Sequence, residues 1–537
     1  MWNQVYTPVS GSLGLSAVCA ALPIFIMLLM LGVLRTAAWK AALAGVVAAV
    51  VVAGGVYGMP WHLVFSSTLC GAAFGLFPIA WVVFWAIALY RLTVETGQFD
   101  IIRKSIGSLT QDRRLQALLI AFAFGAFIEG ASGFGTPVAV ASAMLAGLGF
   151  SPFYAAAICL IANTAPVAFG AIATPIITLA SVTGLPLNVL SAGVGRICAP
   201  VALFLPAYLM LVLGGRKTLA AVWPAALVAG VCFALTQFLV SNFVGPYLTD
   251  ILASIAAIVG LVVLLRVWHP RDDTHGEAAP QPTGIAPSAV LRAWMPYILL
   301  VIFVLLWGYA PFKAYLDKAS ISLAWPDLHN QIQRLPPAVA KAGPYAAKFN
   351  LNLLSASGTA VLFAMVFAAF ALGVPLGRTL AIVGRTARDL SLSILTIALV
   401  LALAYLMNYS GATATLGLAF AATGVAFPFF SAYLGWVGTF LTGSDTSTNA
   451  LFGNLQVVTA NKLDLSPALM AAANSSGGVM GKMISLQSIS VAAAATGMPA
   501  EEEARLFRFT LKHSIFLAGI VGLIVLAYAY LVPGWSV

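Results

Sequence analysis

Leu441-Thr442-Gly443-Ser444-Asp445-Thr446-Ser447-Thr448-Asn449 is a hydroxyl-rich patch with one acid, set inside strongly apolar sequence. A counterpart lies in the first half of the chain, Ile128-Glu129-Gly130-Ala131-Ser132-Gly133-Phe134-Gly135-Thr136-Pro137. Each follows an apolar run ending in Phe (Phe127 and Phe440), and each sets one acid beside Gly and Ser. Polar, glycine-rich backbone at membrane depth is tolerated only where it is buried in protein or lines a cavity. Two such patches at matching places predict two re-entrant hairpins, 116–149 and 426–460, and a ligand site built by two halves.

Composition sets the class. The chain has 537 residues, 61% hydrophobic and 8% charged, against about 25% charged in ordinary proteins. Many runs reach the length of about 20 residues that spans a bilayer. The lipid bilayer is therefore the first partner, and the net charge of +10 reads as basic loops at one membrane face. No polar segment is long enough for a nucleic-acid-binding module, so no nucleic acid is expected. Met1–Ser10 lacks a basic start, so no cleaved signal peptide is expected. Cys19, Cys70, Cys159, Cys198 and Cys232 are scattered in apolar runs without metal spacing, so neither a metal nor a cofactor is expected.

Spans are predicted near 13–34, 41–59, 72–92, 199–213, 219–244, 250–268, 294–312, 353–372 and 390–407. Around the hairpins come two broken helices, 153–180 and 467–495. The breaks are predicted at Asn163-Thr164-Ala165-Pro166 and at Asn474-Ser475-Ser476-Gly477-Gly478, because Pro removes a donor and Gly loosens a helix. The polar, Pro-rich stretch 269–291 reads as a cytoplasmic linker. It separates a first repeat with two extra spans, 1–268, from a second repeat, 292–537. With Arg35, Lys40, Arg91, Arg103, Arg378, Arg385 and Arg505 inside, both termini fall outside, in the periplasm, as does the loop 313–352. Ordered matches at a nearly constant offset link the halves: Ala162-Asn163-Thr164 with Ala473-Asn474-Ser475, Gly170 with Gly481, Arg196 with Arg508. Matched spans run in opposite directions, which predicts an all-α fold of two inverted-topology repeats with about 12 to 14 spans.

Glu129, Asp445 and Lys482 are charges in otherwise uncharged membrane sequence. Such residues usually mark ion or proton pathways. A carboxyl group that alternates between protonated and ionised forms is the simplest proton carrier, with Asp445 the first candidate and Glu129 the second. The competing reading pairs Asp445 with Lys482 in a structural ion pair. Helix ends and amides at the breaks and tips can hold an anion without arginine. The candidate substrate ligands are Gly130, Ser132, Gly133, Thr136, Asn163, Thr164, Ser444, Thr446, Ser447, Thr448, Asn449, Asn474, Ser475 and Ser476. Gly130-Ala131-Ser132-Gly133 also reads as the GxSG of an intramembrane protease, but no histidine falls on a nearby span to activate the serine. No catalytic residue is therefore expected, and the chain is not read as an enzyme.

Six stretches give these features a family. They are Gly97–Arg103 (GQFDIIR), Glu129–Val140 (EGASGFGTPVAV), Leu160–Gly170 (LIANTAPVAFG), Leu441–Ala450 (LTGSDTSTNA), Gly481–Ser485 (GKMIS) and Leu506–Ser514 (LFRFTLKHS). Over essentially its whole length the chain resembles the bacterial L-lactate permease family, within the ion-transporter superfamily. That resemblance implies import of lactate, and in some members glycolate, with a proton across the bacterial inner membrane. It further implies an elevator motion and a homodimer. Sodium coupling, as in more distant relatives, is the alternative. The family often has Ala where this chain has Ser132 and Thr136, so backbone amides of that tip are better candidates than those hydroxyls.

Overall fold

The computed structural model describes residues 1–133, 135–270, 284–339 and 341–535. Phe134 and residues 271–283, the greater part of the predicted linker, lie outside the described residues.

The first half runs α1 (Leu13–Gly32), α2 (Ala38–Val51, continued by a wider turn to Val56), α3 (Trp61–Phe74), α4 (Trp81–Glu95), α5 (Gln98–Gly107), α6 (Arg113–Gln116), α7 (Gly125–Ala131), α8 (Thr136–Gly147), α9 (Pro152–Ala162), α10 (Gly170–Thr183), α11 (Leu187–Phe243) and α12 (Thr249–Val267). The second runs α13 (Pro287–Gly308), α14 (Ala310–Asp317), α15 (Ser357–Ala371), α16 (Leu376–Ser410), α17 (Ala412–Phe420), α18 (Phe427–Thr442), α19 (Asp445–Lys462), α20 (Pro467–Lys482), α21 (Leu486–Thr496) and α22 (Ala500–Tyr530). Among the described residues, 11 helices are long and apolar enough to cross a membrane, or 12 if the bent α9–α10 pair is one span. The chain is a multi-pass membrane protein.

Peripheral helices are apolar on the outside. On α1, Leu15, Val18, Leu22, Phe25 and Leu29 form an exposed stripe, while Ser16, Ala20, Ile24 and Met27 face inward. That is the pattern of a helix with lipid on one side and protein on the other, small residues allowing close packing within. The stretch 114–131, by contrast, is buried throughout.

Both predicted hairpins are helix–turn–helix units: α7 returns as α8 past residues 132–135, and α18 returns as α19 past Gly443 and Ser444. α8 packs on α21, and α19 on α10. Each hairpin thus leans on the distal half of the broken helix from the other half of the chain.

Several expectations need correction. The span predicted at 72–92 is the C-terminal part of a longer run, Trp61–Glu95. It is broken at Phe77, which is extended before Pro78. His62, Ser66, Ser67 and Thr68 hid its start. Ser67 and Thr68 return their hydroxyls to the Leu63 and Val64 carbonyls and stay helical. The pieces at 199–213 and 219–244 belong to α11, which bends at Gly214 and Gly215. The end of the predicted linker is helical, since α13 starts at Pro287. The 313–352 loop carries strands, so the fold is helical with two small sheets. β1 (Trp2–Asn3) pairs parallel with β3 (Ile332–Arg334), which pairs antiparallel with β4 (Gly343–Pro344). β2 (Ile321–Ala324) pairs antiparallel with β5 (Lys348–Leu351), Ile321 opposite Leu351.

The most instructive correction concerns α20. It does not break at Asn474–Gly478; it is helical through Lys482 and breaks at Met483–Ser485. Its glycines serve a close approach instead. A Cβ on Gly477 would fall 2.0 Å from the Ala432 carbonyl oxygen, and one on Gly481 2.3 Å from that of Trp436. Gly435 answers from α18, 1.9 Å from the Asn474 carbonyl oxygen on the same test. The backbones of α18 and α20 touch through small residues one turn apart, the close helix pairing of membrane proteins.

Candidate functional site

Both hairpin tips and the α9–α10 break open onto one cavity of about 160 Å³, several times the roughly 30 Å³ of one water. Glu129 and Gly133 line it from the first hairpin. Thr442, Gly443, Ser444, Asp445, Thr446 and Ser447 line it from the second. Val167, Gly170, Ala171, Thr174 and Pro175 contribute from the break, Lys482 from the end of α20, and Ser393 and Thr396 from α16. Ser393 stands at the middle of α16, so the cavity lies at mid-depth of that helix.

The second tip is preorganised. Gly443 ends α18 in a left-handed turn, φ 71°, and Ser444 caps α19 by accepting from the Ser447 N–H at 3.2 Å. The N-terminus of α19 therefore faces the cavity, where its partial positive charge suits an anion. Asp445, 3% exposed, accepts from Ser475 Oγ at 2.6 Å, and more loosely from Asn449 Nδ2 at 3.4 Å and Thr439 Oγ1 at 3.5 Å. The chain of donors continues inward. Asn474 Nδ2 donates to Asn449 Oδ1 at 2.9 Å, Gln456 Nε2 to Asn474 Oδ1 at 3.1 Å, and Ser431 Oγ to Gln456 Oε1 at 2.8 Å. Three helices, α18, α19 and α20, are thereby tied to one carboxyl group.

Lys482 does not form the ion pair with Asp445 that sequence reasoning set against the coupling role. Its Nζ donates to the Gly443 carbonyl, and no ion pair joins it to Asp445 among the described residues. An ammonium has three donors, so two remain for the cavity.

The first tip is built differently. Gly133, in a left-handed turn at φ 59°, lies against Ala171, where a Cβ would come within 2.9 Å of the Ala171 Cβ. Ala171, Ile172 and Ala173 are themselves left-handed, with φ of 45°, 55° and 60°. Such residues cost about 1–3 kcal/mol each, and they fall at the cavity wall. Glu129, 4% exposed, reaches over Gly170, where a Cβ would meet Oε1 at 2.5 Å. Its Oε2 has no hydrogen-bond partner.

Of the residues predicted for the site, Glu129, Gly133, Ser444, Asp445, Thr446, Ser447 and Lys482 line the cavity. Thr448, Asn449 and Ser475 stand one layer behind, bonded to the lining, and Asn474 stands behind them, bonded to Asn449. The rest do not line it. Ser132 and Thr164 give their hydroxyls to the Ile128 and Ile161 carbonyls, which a hydroxyl in a helix readily does. Gly130 packs on Asp250, Asn163 faces Glu129, and Ser476 faces Cys198. Thr136 is half-buried outside the lining. Sequence reasoning missed Thr174, Gln487, Ser393 and Thr396, the last two a hydroxyl pair three residues apart in the aliphatic run of α16. It also missed Asp250, which reads as the polar end of a span and is 1% exposed.

A polytopic bundle with a polar cavity between two helical hairpins has the build of a membrane permease. The model of the L-lactate permease family matches residues 16–532, and the chain belongs to that family. It is 45% identical to the glycolate permease GlcA of Escherichia coli (strain K12), over 100% of this chain and 99% of that one. It is 45% identical to the L-lactate permease of Bacillus subtilis (strain 168), over 97% of each. To the L-lactate permease of Escherichia coli (strain K12) it is 44% identical over the full length of both.

Proposed function

We propose that the protein imports L-lactate and related small 2-hydroxy monocarboxylates, D-lactate and glycolate, by proton symport across the bacterial inner membrane. The observation that carries this reading is the cavity between the two tips. It offers an anion the N-terminus of α19 and the free donors of Lys482, and it offers a substrate hydroxyl Thr442, Ser444, Thr446 and Thr174. Gly133, Ser444, Thr446 and Ser447 are the proposed substrate contacts. Asp445 is the proposed proton carrier, with Glu129 second. Relatives bearing the names lactate and glycolate permease support the substrate class. They lend nothing to sodium coupling, and that alternative is not taken further.

The halves 1–268 and 292–537 are, in this reading, inverted-topology repeats that move the site by an elevator motion, in a homodimer. The crossed packing of hairpins on broken helices supports it. So does the gathering of basic residues at one end, where Arg91 pairs with Asp389 at 2.6 Å, and Arg385 and Arg378 reach Glu95. With that end in the cytoplasm, the termini lie in the periplasm.

Flux through the purified protein in proteoliposomes tests the reading. A pH step, acid outside, concentrates lactate and glycolate in the vesicle, whereas a sodium gradient at equal pH does not. Accumulation that follows sodium and ignores the pH step reverses the assignment.

A further inference from the structure

A second buried acid lies behind the first hairpin tip. Asp250 is in the first turn of α12, and its Cβ lies where a Gly130 side chain would be, 2.8 Å from an added Cβ. Neither carboxyl oxygen has a hydrogen-bond partner. The side chain that faces it is Gln237 of α11. Gln237 donates from Nε2 to the Ala165 carbonyl at 3.1 Å, and its Oε1 has no donor. Both carboxyl oxygens of Asp250 and the Oε1 of Gln237 are thus left without a donor in a dry interior. Turning the amide does not help, because its oxygen would then face the Ala165 carbonyl. One step nearer the cavity, Glu129 Oε2 also lacks a donor, and both amide atoms of Asn163, the side chain facing it, lack partners.

An unpaired carboxylate in such a place costs several kcal/mol. The N-terminus of α12 favours an anion, yet no backbone N–H reaches either oxygen of Asp250. A proton on Asp250 removes the buried charge and turns one carboxyl oxygen into a donor.

We propose that Asp250 and Gln237 form a buried proton-binding site that exchanges with the substrate cavity through Glu129. The titratable groups facing Asp250 are Glu129 from α7 and Cys198 from α11. Behind them, Lys482 interacts with Glu129, and Asp445 with Cys198. Asp250 holds the proton. Glu129, with one face on the cavity and one toward Asp250, passes it on. The proposal deepens the proton-coupled reading and rests on it for the use of the site; whether the site exists is read separately.

Infrared difference spectroscopy on the purified protein in lipid makes that separation, with transport measured on the same samples. Wild type at neutral pH shows a protonated-carboxyl C=O band, shifted in D₂O, that Asp250→Asn removes. Gln237→Leu keeps the band but moves it to the frequency of an acid without a partner, which also serves if Asp250→Asn does not fold. In Asp250→Asn, accumulation driven by a pH step is lost, as for a removed proton-relay acid. A band unchanged in Asp250→Asn, or unmoved in Gln237→Leu, overturns the site. So does a band that appears only when sodium is withdrawn, which would make this a cation site. Wild-type uptake indifferent to a pH step defeats the coupling reading alone, since the band decides the site by itself.

Discussion

At the second hairpin tip, Asp445 accepts from Ser475, Asn449 and Thr439. At the first, Glu129 keeps one oxygen without a partner and looks toward another bare acid. Both stretches set one acid among glycines and hydroxyls, but only the second acid is met by hydroxyls. Ser132 and, at the neighbouring break, Thr164 bond the carbonyls of Ile128 and Ile161 in their own helix, while Ser475 of α20 and Thr439 of α18 are aimed across helices at Asp445. A satisfied polar network fixes geometry; an unsatisfied one calls for a proton or a partner. Under the proposed function this comparison gives the second hairpin the carrier Asp445 and most of the substrate contacts, and the first hairpin the proton's inner path through Glu129. Each prediction below is a way to break that division or sharpen it.

The largest effect comes from the backbone contact that holds the second hairpin rigid. Gly477→Leu drives a side chain into the Ala432 carbonyl, beyond the ~1–3 kcal/mol of ordinary overpacking. No folded protein should elute on size exclusion. Gly147→Ala at the far end of α8, where an added Cβ meets nothing within 4 Å, should leave the melting temperature unchanged. Equal tolerance at both sites would mean that the α18–α20 contact is not what fixes the second tip.

Next comes the acid itself. Asp445→Asn keeps the shape of the network but not the exchangeable proton, so pH-driven lactate accumulation should fall roughly tenfold or more. Counterflow exchange, which moves no net proton, should survive. If Asp445→Asn still concentrates lactate after a pH step, the proton carrier is elsewhere, and Glu129 becomes the first candidate. If counterflow is lost as well, Asp445 binds substrate or holds the fold.

Asn474→Ala probes the layer behind. It leaves Asn449 Oδ1 without a donor and Gln456 Nε2 with the Ser431 carbonyl alone, at about 1–3 kcal/mol for a buried group left unsatisfied. The protein should fold with a lowered melting temperature and bind lactate several-fold more weakly by calorimetry. Since Asn474 stands behind the cavity lining, unchanged lactate affinity with only the melting temperature lowered would confine it to structure.

How far the sequence foretold these parts follows from what each residue does. The two tips were legible because a polar, glycine-rich patch has no other place in a membrane-spanning run. The break at Asn163–Pro166 was legible because Pro166 cannot complete the helix. The same logic misread Asn474–Gly478, since a glycine that loosens a helix and one that admits a neighbouring backbone look alike until α18 is in view. Ser393 and Thr396 were hidden because an isolated hydroxyl in a span usually bonds its own turn. Asp250 was hidden by its position at the end of an apolar run, where an acid ordinarily meets water. Only the fold brings Gly130 over it.

The gentlest perturbation tests whether the two tips are opposed. Thr136 and Thr446 are both half-buried at hairpin turns, and cysteine is nearly the size of threonine, so transport by either variant should change little. The five native cysteines are free thiols and must first be replaced. In an inverted repeat the first hairpin enters from one face of the membrane and the second from the other. With the basic ends in the cytoplasm, a membrane-impermeant maleimide should reach Thr136→Cys from the inside and Thr446→Cys from the outside. Saturating lactate should slow the second more than the first, because Thr446 lines the cavity and Thr136 does not. Labelling of both from one face in every transport state would falsify the inverted arrangement, even with every hydrogen bond around Asp445 intact. Opposite-sided labelling with equal protection by lactate would keep the inversion but end the division of labour, because the first tip would then touch substrate as closely as the second.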